Sequence, residues 1–89
     1  MISLTTARFW KAYYHLDESV QKQAREAYKL FDQNPYHPSL HFKKVHPDRP
    51  VYSVRISLSY RALAVREGEQ VIWFWIGSHD DYDRLLRQL

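Results

Sequence analysis

Residues Tyr52 to Leu86 read YSVRISLSYRALAVREGEQVIWFWIGSHDDYDRLL, and their alternation decides the fold. Tyr52, Val54, Ile56 and Leu58 alternate with Ser53, Arg55, Ser57 and Ser59, the period-two pattern of a half-buried strand. Tyr60 to Arg66 reads as the next strand and Glu67-Gly68-Glu69 as a tight turn. Val71 to Ile76 is apolar on both faces, which predicts an inner, central strand, with Trp73, Phe74 and Trp75 in the core. Gly77 is expected to break that run, and Asp80-Asp81 to start a short terminal helix carrying Tyr82, Leu85, Leu86 and Leu89.

Upstream, Met1 to Leu4 suits a short strand, and Thr5 or Thr6 offers a hydroxyl to cap a helix. Phe9, Ala12, Tyr13 and Leu16 then share one helical stripe. Asp17 is the expected cap of a second helix bearing Val20, Ala24, Ala27, Tyr28 and Phe31, which Asn34-Pro35 ends. Two helices joined at Leu16–Asp17 make an αα-hairpin. From Tyr36 to Pro50 the prolines leave room for one short strand, around Leu40 to Val45.

This order predicts one α+β domain over residues 1–89. A short N-terminal strand and the helical hairpin pack on one face of a mainly antiparallel sheet of four to five strands, with a short C-terminal helix. The face carrying Ser53, Arg55 and Ser57 is expected to be polar, concave and rimmed by charge, suited to a polyanion.

At 89 residues, one modest core is all the chain can bury. Hydrophobic residues at 45% set it apart from disordered chains. It has no cysteine, which removes disulfides and thiolate metal sites and agrees with a reducing cytoplasm. The N-terminus lacks a signal-peptide pattern, and no apolar run nears the ~20 residues of a membrane span. Two glycines rule out a glycine-rich phosphate loop. The histidines His15, His37, His41 and His46 share no metal-ligand spacing, so neither a metal nor a cofactor is expected. The formal charge of +3 leans toward anionic partners.

Chemistry concentrates at few positions. Arg61 follows Tyr60 at a strand start, and guanidinium suits bidentate phosphate contact, although most strand arginines simply meet solvent. His79, just past Gly77-Ser78, can serve as a general acid or base, or can pair with Asp80 or Asp81. Lys43, Lys44, His46 and Arg49 form a basic patch able to bind a phosphate backbone through charge.

The motifs NPYHPSLHFKKV, YSVRI, SYRALAV and IGSHDDY, in this order behind a helical hairpin, resemble the RelE/ParE superfamily of toxins from bacterial type II toxin–antitoxin systems. The resemblance spans the whole chain. It implies a metal-independent RelE-like endoribonuclease that cuts ribosome-bound mRNA, with a cognate antitoxin, the ribosome and mRNA as partners. It also admits a ParE-like inhibitor of DNA gyrase, or a non-toxic member that acts only by binding protein. Arg61 matches the family arginine that stabilises the phosphate, and Arg55 matches a basic residue on the preceding strand. His79 falls where a general acid protonates the leaving 5′-oxygen. Tyr82 is a looser match for a tyrosine that stacks on a base or transfers a proton. Ser53 stands where a second catalytic lysine can occur and joins Lys43, Lys44 and Arg49 as an RNA-binding candidate. The resemblance supplies no general base.

Overall fold

The computed structural model describes residues 1–89. Its elements are β1 (Ile2–Thr5), α1 (Ala7–Tyr14), α2 (Glu18–Gln33), a 3₁₀ turn (Pro38–Leu40), β2 (Lys43–Lys44), β3 (Val51–Ser57), β4 (Tyr60–Glu67), β5 (Gln70–Ser78) and α3 (His79–Gln88). The strands form one sheet in the order β1-β5-β4-β3-β2. β1 runs parallel to β5 and every other pairing is antiparallel, so the sheet is mixed, as a crossover through the hairpin requires. β5 is an inner strand, but the middle one is β4.

Local chemistry explains the boundaries. The Thr6 hydroxyl accepts the Phe9 amide at 3.1 Å and donates to the Trp73 carbonyl at 3.1 Å, capping α1 and tying it to β5. Asp17 departs from expectation: its side chain makes no capping bond, and its backbone carbonyl takes the Val20 and Gln21 amides. The Asn34 side-chain oxygen accepts the Tyr36 amide and turns the chain out of α2.

Three consecutive aromatics at 73–75 cannot alternate cleanly and all be buried. A β-bulge resolves the conflict: Leu63 pairs with Trp75 and Ala64 with Trp73, leaving Phe74 as the extra residue. Trp73 therefore packs with the helical hairpin, among Tyr13, Phe31, Val54 and Ile76. Phe74 and Trp75 pack on the other face with Val51, Leu63 and Tyr82.

Gly77 does not end β5, which continues to Ser78. A Cβ at Gly77 would collide with the Trp75 ring, so the glycine is where that ring lies against the backbone. α3 starts at His79, earlier than Asp80-Asp81, because the Ser78 hydroxyl accepts the Asp81 amide at 3.2 Å.

The face bearing Ser53 is not the open polar surface expected. Leu85, Leu86 and Tyr82 of α3 fold back onto it around Val51 and Leu63, because an amphipathic helix must bury its apolar side. What remains polar on that face is its end beyond α3, at Arg55 and Arg61, and the exposed Lys43 on the edge strand.

The hairpin face is the reverse. α1 leans on β5 and α2 on β3, so the helices splay. Between them lies a largely apolar groove of about 800 Å³. Its walls and floor include Ala24, Ala27 and Ala62, side chains too short to fill the gap.

Candidate active site

Arg55 and Arg61 lie directly opposite each other in the β3–β4 ladder. Like charges in that position repel, so the fold holds the pair against a cost. The tight turn after β3 does the holding. One Arg61 guanidinium nitrogen, Nη1, donates to the carbonyls of Ser57 at 2.6 Å, Tyr60 at 3.0 Å and Leu58 at 3.4 Å. With Nη1 committed to the turn, Nε and Nη2 keep their hydrogens for an anion.

The same turn fixes the histidine, since the Ser59 carbonyl accepts the His79 amide at 2.8 Å. The His79 Nδ1 stands 3.3 Å from the Asp83 carboxylate, and its ring meets Tyr82 edge-on at 5.4 Å. Burial, and then the charge of Arg55, lower the Arg61 pKa, while Tyr82 and Asp83 push it back up. Arg61 thus feels the two side chains that His79 touches. Two arginines, one imidazole, one phenol and one carboxylate gather at one end of the sheet, where α3 begins.

Arg55 also borders a shallow groove of about 420 Å³ with Gln23, Glu26 and Ser39. Lys43 pairs with Ser53, which places it on the Arg55 face two residues along β3. Lys43 thus extends the arginine pair along the sheet edge. Lys44 pairs with Tyr52 on the opposite face, and Arg49 is exposed in the loop before β3.

Two expectations need correction. Ser53 is only 3% exposed, closed in among the α3-facing core residues, so it offers no surface to RNA. Tyr82 is 8% exposed and packed with Val51 and Leu63, so its ring cannot stack on a base. What remains for Tyr82 is to brace His79 and place its phenol near Arg61. Asp83 is the residue that sequence reasoning passed over, having paired His79 with Asp80 or Asp81. The signal was present: a helix capped by Ser78 puts residue 83 one turn above residue 79.

No three His, Asp or Glu side chains gather as a metal ion would need. No helix is long and apolar enough to cross a membrane.

The fold is shared with solved toxins. The RelB–RelE antitoxin–toxin complex from Methanococcus jannaschii aligns with TM-score 0.72 at 19% identity, covering 91% of this chain and 96% of that one. The YoeB dimer from Staphylococcus aureus gives TM-score 0.69 at 17% identity, covering 89% and 97%. The intact E. coli RelBE complex gives 0.64 at 18%, covering 85% and 93%. No curated protein sequence matches the chain. The sequence model of the ParE-like toxin domain matches residues 18–84, from the start of α2 into α3. The chain belongs to that family, within the RelE/ParE superfamily of toxin–antitoxin toxins.

Proposed function

We propose that this protein is the toxin of a toxin–antitoxin pair and a ribonuclease that cuts ribosome-bound mRNA in the cytoplasm. The observation that carries this reading is the Arg55–Arg61 pair held in register beside His79, both anchored to the turn at Ser57–Tyr60. Catalysis of RNA cleavage without a bound ion needs cations where phosphate charge develops and a proton donor for the leaving group.

In the reaction, the ribose 2′-oxygen attacks the adjacent phosphorus and the P–O5′ bond breaks, giving a cyclic phosphate and a 5′-hydroxyl. Arg61 and Arg55 neutralise the phosphorane, which removes the repulsion they suffer when the site is empty. His79 donates a proton to the leaving 5′-oxygen, and water takes the 2′ proton. Lys43 guides the strand along the β2 edge. Lys44 and Arg49 add charge toward RNA without lining the site.

The antitoxin is proposed to act from the other face. The hairpin groove is apolar, bordered by Trp10, Tyr28, Arg25 and Lys29, and suits an amphipathic segment with acidic flanks. Trp73 lines that groove with part of its ring, while its indole N–H is buried without a partner. Relatives solved with RelB or YefM partners support the pairing.

The family description favours a second reading, inhibition of DNA gyrase by a ParE-like toxin. That reading needs a binding surface and leaves His79 without work. Expressing the chain alone separates the two. The ribonuclease reading expects growth arrest with cuts inside translated mRNA, whereas gyrase-linked DNA breaks with intact mRNA would establish the second.

A further inference from the structure

We infer that Asp83 is a positioning residue for His79, fixing the imidazole with Nδ1 toward the carboxylate and Nε2 as the proton-donating nitrogen. The inference rests on the ribonuclease reading for its role, though the geometry stands apart from it.

The 3.3 Å separation joins the carboxylate to Nδ1, one helical turn along α3. An imidazole whose Nδ1–H points at a carboxylate carries its reactive nitrogen at Nε2, and here the pair forms at the surface, with the His79 side chain 44% and the Asp83 side chain 50% exposed. The packing supports the assignment. Tyr82 meets one edge of the ring, and the His79 amide is tied to Ser59, so the ring is held at its backbone, its side and its Nδ1.

The other charged and titratable groups around the ring do not compete for this role. Asp81 is engaged by Arg84 at 3.1 Å, on the outer side of α3. Asp80 is exposed. From β4 come Arg61, a cation, and Tyr60, whose backbone faces Ser78. From β3 comes Arg55, also a cation. Asp83 is the one carboxylate in contact with His79, and its charge is also felt by Arg61. One side chain thereby touches the proton donor and adds negative charge near the phosphate-binding cation.

In the step itself, the bonding pair of P–O5′ moves to O5′, which takes the Nε2 proton. The Nδ1 proton stays on the ring, shared with Asp83. Asp83 contacts no substrate atom and is regenerated unchanged.

The test combines kinetics with a readout independent of activity. With ribosome-bound mRNA, Asp83→Ala should lower kcat about tenfold or more at unchanged KM, and Asp83→Asn, which can still accept from Nδ1, should recover part of the loss. In a His79→Ala background, Asp83→Ala should cost nothing further. Nitrogen-15 NMR of the imidazole should show the Nδ1–H tautomer in the neutral ring of the wild type and a shift toward Nε2–H in Asp83→Ala. Equal tautomers in the two proteins, or an Asp83→Ala loss that adds fully to His79→Ala, would overturn the inference. If the wild type cuts no mRNA while the tautomer still depends on Asp83, the ribonuclease reading fails and the positioning stands.

Discussion

The two faces of the sheet solve opposite problems. On the hairpin face, short side chains at Ala24, Ala27 and Ala62 leave a wide apolar groove between splayed helices, lined in part by Trp73. On the α3 face, charged groups are crowded and tied down by backbone carbonyls and one another. A groove missing its filling is suited to another chain, and a cluster of cations held in opposition is suited to an anion. The contrast teaches that binding and chemistry can be broken separately in so small a protein.

The largest effect should come from the charged end. His79→Ala or Arg61→Ala should reduce mRNA cleavage by roughly 10²-fold or more, the scale of losing a general acid or an oxyanion-stabilising group. Circular dichroism should show both variants folded. The groove should give the converse result: a Trp10→Ala, Tyr28→Ala double variant should weaken antitoxin binding by about 2 kcal/mol, since exposed aromatics dominate such interfaces, while cleavage is unchanged. Calorimetry of the complex measures the first and an mRNA cleavage assay the second. Loss of cleavage in the groove variant would merge the two regions into one.

Gly77→Ala sharpens the link between core and site. The new methyl must push the Trp75 ring out of its place beneath α3, costing about 1–3 kcal/mol as overpacked cores do. Urea denaturation should show the lowered midpoint.

The smallest effect concerns the arginine pair in the empty protein. Arg55→Gln removes a like charge facing Arg61, so the unliganded fold should be slightly more stable even as cleavage falls. Added salt should stabilise the wild type more than this variant, because screening relieves the same repulsion. The pH dependence has a defined sign. A cation whose folded pKa is depressed costs stability wherever it is protonated, and that cost disappears only as pH rises through the folded pKa. For Arg61 the window is strongly alkaline, so stability across neutral pH should be flat with respect to this pair. A wild-type stability change near neutrality that Arg55→Gln abolishes would contradict the assignment. Arg66 has the opposite sign: the Tyr36 hydroxyl raises its pKa, and the stability it contributes is lost only at still higher pH.

Much of this was legible in the chain, for reasons visible in particular residues. Alternation from Tyr52 to Ser59 and the turn at Gly68 required the β3–β4–β5 meander, and the stripes in α1 and α2 required the hairpin. The Arg55–Arg61 pairing was not legible, because a two-residue turn at Leu58-Ser59 would by itself set Arg55 opposite Ala62, and a register shift between Arg55 and Ser57 brings Arg61 there instead. The bulge at Phe74 was not legible, because a run of three aromatics carries no period. Nor was the burial of Ser53 and Tyr82, since a serine in an alternating strand reads as exposed until a helix 30 residues downstream folds over it. Gly77 read as a breaker because its reason lies in the ring of Trp75, a contact that the order of residues does not state.

The central claim is that the Arg55–Arg61–His79 end of the sheet cuts RNA. Mapping mRNA ends after inducing the chain alone, beside His79→Ala expressed at equal level, tests it most directly. Cuts within translated regions, leaving 2′,3′-cyclic phosphate and 5′-hydroxyl ends, are expected in the wild type only. Growth arrest with intact mRNA, or identical cuts in His79→Ala, would contradict it.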